Sequence, residues 1–420
     1  MECSHRRYTG TYDILNGAMK RLVYCILSLL MLACTDEIPM VNLGVDEVYI
    51  IPRMSKLSLH PALTGASYSW KVDGEEVSTA RDYIFIAAHE GVYSLSLDII
   101  DSTTPYHHEF EVYVVHEEVE YSPYIENVYE YCPAPGQFIN TMPQYEAGDS
   151  YGDMLRKCTE SLSGTNDVLV SLGGFGGYIT FGFDHTVINQ AGEKDFRIWG
   201  NSFYDASHTD MVGGSSEPGV VMVSLDVNCN GLPDDPWYEI AGSEYCNPAT
   251  IHGYSIIYHR PDSQREIVKD ASGNLTDLYY IMWVDSQGTI GYMPKNKFHN
   301  QDYYPCWIVD DTINFKGTRL PDNAIDISGR GMYYFQRAFA WGYADNHPND
   351  EAELCSYDIS WAVNEYGMPV DLPGIDFVRV YTGENQYCGW IGETSTEITR
   401  AADLHIYSEL PGHNSISAYK

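Results

Sequence analysis

Positive charge is scarce in this sequence. Its 420 residues hold 24 Lys and Arg against 59 Asp and Glu, a formal net charge of −35. A field of that sign repels nucleic-acid phosphates and anionic membrane surfaces, which excludes nucleic acid as a partner. Membrane-spanning length is missing as well. The apolar run from Leu22 to Ala33 has twelve residues, where a spanning helix needs ~20. No CxxC pair occurs. Seven cysteines follow Cys34 (Cys132, Cys158, Cys229, Cys246, Cys306, Cys355 and Cys388), spaced too widely for a zinc site, and their odd number leaves at least one thiol free. Catalytic signatures are absent too: there is no HExxH, no GxSxG, no GxxxxGK[ST], and no GxGxxG after a strand. A carboxylate pair suffices for a glycosidase, but 59 acids offer many pairs and single out none. Nor does any stretch beyond Cys34 hold a sustained helical period.

What is present begins with an export signal. Lys20 and Arg21 precede the apolar run, which has the length of a signal-peptide core. It ends in Leu32-Ala33-Cys34, which resembles a bacterial lipobox, with Met31 where a branched aliphatic is more usual. That resemblance implies lipidation of Cys34 after cleavage. Residues 1–33 are then an N-terminal extension plus a signal peptide, which starts normally at Met19. Plain secretion with cleavage near Ala33 is the alternative. The acids in Thr35-Asp36-Glu37 resemble the surface-export signal of Bacteroidetes lipoproteins. The expected location is the outer membrane, lipid-anchored and facing the cell exterior, where one or two disulfides could form.

Strand signals dominate the rest, and 35 tyrosines favour half-buried pleated surfaces. The fold class expected is all-β, an N-terminal Ig- or PKD-like sandwich over 34–118 followed by a large jelly-roll-like β-sandwich over 136–420. In the first unit Tyr68-Ser69-Trp70-Lys71-Val72 alternates and Asp73-Gly74 makes a hairpin turn. Trp70 is placed to fill the core, and Tyr93 stands where a tyrosine corner would, after the turn at Glu90-Gly91. The acidic, Pro-containing stretch 119–135 reads as a linker. In the second unit Gly177–Phe183, Val220–Leu225 and Ile375–Tyr381 are nearly continuous apolar runs, expected where both sheet faces are covered.

One loop carries a metal pattern. Asp226, Asn228 and Asn230 occupy the first, third and fifth positions of an EF-hand loop, Gly231 the sixth and Asp234 the ninth. Leu232 can offer its carbonyl, and Asp235 adds a further carboxylate. Trp237 stands at the twelfth position, after Pro236, so the expected site is a structural Ca²⁺ loop after a strand, not a helix–loop–helix. A metal-free Asn/Gly hairpin is the alternative. The run Ala344-Asp345-Asn346-His347-Pro348-Asn349-Asp350 reads first as a solvated turn and second as a ligand loop, and Asp184-His185 is ambiguous. Aromatic rings in loops can stack on a sugar or a planar macrocycle. The candidate ligand-binding residues are Trp237, Trp390 and Tyr303, with Glu217 just before a strand.

The W-x-x-D-G hairpin and the G-x-Y-x-L-x-L strand resemble PKD-like and Ig-like domains of bacterial surface proteins, which act as spacers. Phe181-Gly182-Phe183-Asp184-His185, Glu217-Pro218-Gly219, the Asp226–Asp235 loop with Trp237-Tyr238-Glu239, and Gly389–Ile398 resemble a family of Bacteroidetes outer-surface lipoproteins. The resemblance implies non-catalytic capture of a nutrient, a cobamide (cobalamin) or a glycan, for a TonB-dependent outer-membrane transporter. A carbohydrate-active enzyme using a carboxylate pair and a structural or adhesive surface protein are the alternatives.

Overall fold

The computed structural model describes residues 43–407 except 66, 102, 103 and 209. The signal peptide and Cys34 lie outside the described residues. Almost everything described is strand, loop or turn, and no helix among these residues is long and apolar enough to cross a membrane.

The first unit is the expected sandwich. Strands Val48–Pro52, Thr104–Val115, Gly91–Asp101, Ser67–Val72 and Glu75–Ser78 form a five-stranded sheet in that spatial order. A two-stranded sheet of Leu57–Leu59 and Tyr83–Phe85 contributes Leu59 and Phe85 to the same core. Trp70 is fully buried there among Leu95, Leu97, Ile99, Phe110 and Val112, and its indole N–H donates to the Ala80 carbonyl at 3.0 Å. Asp73 and Gly74 both have positive φ, 50° and 90°, as a two-residue type I′ turn requires. The Tyr93 hydroxyl donates to the carbonyl of His89, four residues back, at 3.0 Å, completing the tyrosine corner.

In the second unit a six-stranded antiparallel sheet runs in the order Ala362–Val363, Tyr238–Ile240, Gly219–Ser224, Gly374–Thr382, Tyr178–Ile188, Asn127–Cys132. Both faces are covered, which is why its central strands are apolar throughout. On one side Phe181, Val221, Val223, Val378 and Val380 share a core with Phe196 and Ile198 of the sheet Ser356–Tyr357, Phe196–Trp199, Arg400–Asp403, and with Met154, Cys158 and Leu162. On the other, Tyr178 packs on Tyr254, Tyr258, Ile281 and Phe315 of the four-stranded sheet Ile290–Asn296, Leu275–Asp285, Ile251–His259, Thr312–Arg319.

Three expectations change. The stretch read as linker contains strand Asn127–Cys132, paired with Tyr178–Gly182, so the second unit begins before residue 136. A twelve-residue helix, Tyr151–Leu162, was not legible from period. It starts at a capping box, with Ser150 accepting from the Asp153 amide and Asp153 accepting from the Ser150 amide, and buries only Met154, Cys158, Ser161 and Leu162. Cys132, Cys158, Cys246, Cys306, Cys355 and Cys388 form no disulfide.

The units touch through a defined junction. Met54 and Ile86 share an apolar cluster with Ile188 and Leu225. Lys56 Nζ lies 2.8 Å from Asp376 Oδ2 and donates to the Asp226 carbonyl at 2.7 Å.

Candidate functional site

The loop after strand Gly219–Ser224 closes on its own side chains. Asp226 accepts from the amides of Asn230 (Oδ1, 3.0 Å) and Gly231 (Oδ2, 2.9 Å). Asn228 Oδ1 accepts from the Asn230 amide at 3.0 Å, and Asn230 Oδ1 from the Leu232 amide at 2.7 Å. The side-chain amides of Asn228 and Asn230 both donate to Asp234. Positive φ at Cys229 (55°) and Gly231 (74°) lets the chain curl so tightly. Asp226, Asn228, Asn230 and Asp234 are therefore gathered on one side. Asp235 instead accepts from the Val227 amide at 3.1 Å, and the Leu232 carbonyl accepts from the Asp234 amide at 2.9 Å. Burial, then the charges of Asp226 and Asp234, pushes the Asp235 carboxyl up. Hydrogen bonds within the loop thus engage all six of the expected ligand residues in closing the turn.

A second acidic centre, deeper in the fold, was only partly anticipated. Glu217, Asp345 and Glu397 place carboxylate oxygens within 4.8 Å of one another. They come from three distant stretches that the backbone laces together. The Glu217 amide donates to the Asp345 carbonyl at 3.0 Å, and the Glu397 amide donates to Asp345 Oδ2 at 2.9 Å. Asp345 Oδ1 accepts from the amides of Asn201 (2.7 Å) and Ser202 (2.8 Å). Glu397 pairs with Ser171 in a short ladder and accepts from the Ser171 and Ser395 hydroxyls at 2.9 and 2.7 Å. Burial, then the negative neighbours, pushes the Glu217 and Asp345 carboxyls well above the usual range, and burial raises Glu397 too. The run 344–350, read first as a solvated turn, is thus interior at Asp345. With Asp345 and Glu397 only 3% and 4% exposed, a sugar ring has no room beside them. Hard oxygen donors of this kind suit Ca²⁺ or Mg²⁺.

Above this centre the chain returns to the surface at Trp390. The loop is fixed from beneath: Gln137 Nε2 donates to the Ile391 carbonyl at 2.6 Å, and Asn296 Nδ2 to the Trp390 carbonyl at 3.2 Å. Gly392 has φ +109°, and a Cβ there would lie 1.3 Å from Gln137 Nε2, so only glycine fits. The amide of Gln137 donates to Glu393 at 2.6 Å, and burial pushes the Glu393 carboxyl up to about 7. Trp390 itself is 39% exposed. Its indole N–H donates to the Met332 carbonyl at 2.8 Å, and its ring meets the exposed Phe298 edge-on at 5.6 Å. It lines a cleft of about 500 Å³ with Tyr334, Tyr387, Arg330, Asn274 and Asp270.

The other candidates divide. Trp237 is half-buried, with the Arg379 guanidinium 4.2 Å from its ring, and lines a cleft of about 680 Å³ with Tyr366 and, from the sandwich, Ser78–Ala80. Tyr303 is wholly buried and donates its hydroxyl to the His299 carbonyl, so it is a core residue, not a ligand-binding one. Glu217, half-buried, belongs to the acidic centre with Asp345 and Glu397. His185 is locked between Asp184 (2.7 Å) and Asp403 (2.8 Å); burial lowers its pKa, the two carboxylates outweigh it, and the result is about 8.

Residues 39–101 match the family model of a PKD-like domain. No curated protein matches the chain. Among solved structures, a quinonprotein alcohol dehydrogenase-like protein from Bacteroides thetaiotaomicron is 12% identical over 63% of this chain and 50% of its own, with a TM-score of 0.17. This chain therefore spans half the length of that protein. A SusE-like protein is 10% identical over 84% of this chain and 94% of its own, TM-score 0.26. A structure from work on promiscuous carbohydrate-binding modules of the β-sandwich superfamily is 10% identical over 84% and 92%, TM-score 0.14. At those TM-scores the three are likenesses from which no ligand follows. The family match is confined to the first unit, and the chain carries a PKD-like domain within residues 39–101.

Proposed function

We propose that the chain is a non-catalytic carbohydrate binder, held at the outer cell surface by a lipid on Cys34, that captures glycan for a TonB-dependent transporter. The observation that carries this reading is the Trp390 cleft. A flat ring clamped at its N–H and left two-fifths exposed offers the C–H face of a sugar a surface that costs little entropy to order. Asp270, Asn274 and Arg330 on the same walls supply donors and acceptors for hydroxyls. A cleft of about 500 Å³ lies in the usual range for small-ligand sites. The strong negative charge of the chain favours neutral glycans over acidic ones.

Ca²⁺ in the Asp226–Asp235 loop serves structure in this reading. The loop leads directly into Pro236 and Trp237, and its base is tied to the sandwich through Lys56, so an ordered loop sets the wall of the second cleft. Calorimetric titration against neutral oligosaccharides, acidic oligosaccharides and cobamides tests the ligand class. Micromolar to millimolar binding of a neutral glycan is expected. Binding of a cobamide alone moves the ligand to a macrocycle, and release of reducing sugar moves the protein to the enzymes. Cys34→Ala is expected to shift the protein out of the membrane fraction; a variant that still sediments with membranes removes the anchor.

A further inference from the structure

We propose that Glu217, Asp345 and Glu397 form a calcium site in the interior of the second unit, separate from the Asp226 loop. The three carboxylates come from segments 128 and 52 residues apart in sequence, yet their oxygens lie within 4.8 Å of one another. Points that close fit on a shell of radius ~2.4 Å, the Ca–O distance. Among the described residues none of the three makes an ion pair with Lys, Arg or His. Three carboxyl groups are thus brought together without a counter-charge from the chain, the arrangement in which a bound divalent ion is the largest local charge.

Unsatisfied hydroxyls give an independent sign of a missing partner. Ser202, 6% exposed, gives its amide hydrogen to Asp345 Oδ1 at 2.8 Å, while the hydroxyl of the same residue, buried beside that carboxylate, has no hydrogen-bond partner. Ser216, wholly buried and next to Glu217, also has an unpaired hydroxyl. Buried polar atoms left without partners mark places where an ion or an ordered water belongs. A cation held by three carboxylates and completed by water offers a partner to the Ser202 hydroxyl, on the residue whose amide already holds Asp345 Oδ1. Calcium, with six to eight oxygens in a flexible shell, tolerates such irregular donors; magnesium demands a near-ideal octahedron of radius ~2.1 Å.

The consequence is mechanical. Glu397 closes the loop that carries Trp390, and Glu217 precedes the central strand Gly219–Ser224. One ion therefore ties the sheet to the binding loop. The test uses the full chain and calcium alone, without sugar, so it stands whatever the glycan titrations give. Equilibrium dialysis of Asp226→Ala, which removes the loop site, is expected to show one bound calcium, and Asp226→Ala with Glu397→Gln none. No calcium on Asp226→Ala, or one remaining on the double variant, overturns the proposal. Melting in EDTA guards against a folding defect. Glu397→Gln puts a neutral amide of the same shape in place of one acid and is expected to melt no lower than the wild type in EDTA while losing its share of the calcium-induced rise. A Glu397→Gln protein that melts below the wild type in EDTA and still rises with calcium as far as the wild type contradicts the site. Glu217→Gln is expected to repeat the behaviour, and equal response to magnesium overturns the assignment to calcium.

Discussion

Glu393 shows what burial does to a single side chain. Its carboxyl is pushed up to about 7, by burial first and against the pull of the Gln137 amides. A carboxyl whose folded pKa stands above its unfolded value, ~4.3, binds its proton more tightly in the folded state. The stability it contributes is full below the unfolded value and is lost as pH rises through 7. Glu393→Gln is therefore expected to flatten the fall of melting temperature between about pH 4.5 and 7 relative to the wild type, as thermal melts across that window would show; parallel curves would leave the group ordinary. Trp390 and Glu393 are legible in the sequence to different degrees. Trp390 sits between glycines, and a large ring in a turn tends to be exposed. Tyr303 lies in an equally aromatic run and is interior, because density of rings does not say which side of a sheet they face. Glu217 stands out in the sequence for its place before a strand, but its partners Asp345 and Glu397 lie far along the chain, and no local pattern can announce a cluster that exists only after the sheets pair.

At the scale of elements, what is local was readable. The Asp73-Gly74 turn, the Trp70 strand and the Tyr93 corner each depend on a few neighbouring residues, and all three form as their sequence dictates. Trp70→Ala, which empties the middle of the sandwich, is expected to cost about 3 to 5 kcal/mol in denaturant unfolding. The helix Tyr151–Leu162 does carry a helical stripe, Met154, Cys158, Ser161 and Leu162, but a stripe that short, with a hydroxyl in it, is no sustained period; the plainer sign is the capping box of Ser150 and Asp153. Strand Asn127–Cys132 hid in a Pro-containing acidic stretch, since its pairing partner Tyr178–Gly182 lies fifty residues on. For the Asp226 loop, Ca²⁺ at a hundredfold excess over its Kd is expected to add about 2.7 kcal/mol. EDTA should lower the melting temperature, and Asp226→Ala should reduce the calcium-dependent rise; a full rise in that variant would leave the loop an Asn/Gly turn.

The whole molecule is a sandwich braced on a larger β unit. Lys56 stands at the centre of that brace, reaching both Asp376 and the backbone of Asp226. Charged hydrogen bonds of this kind contribute about 2 kcal/mol, so Lys56→Ala should lower the denaturant midpoint and speed proteolysis between the units; an unchanged protein would mean that the apolar contact of Met54 and Ile86 with Ile188 and Leu225 suffices alone. Around this frame the net negative charge favours an uncharged ligand, and the aromatic clefts are the places to hold one. The most direct test of carbohydrate capture is a calorimetric titration of wild type and Trp390→Ala with the same neutral oligosaccharide. Stacking at an exposed ring predicts measurable binding by the wild type and at least a tenfold loss in the variant, with melting temperature unchanged. Undiminished binding by Trp390→Ala would contradict it.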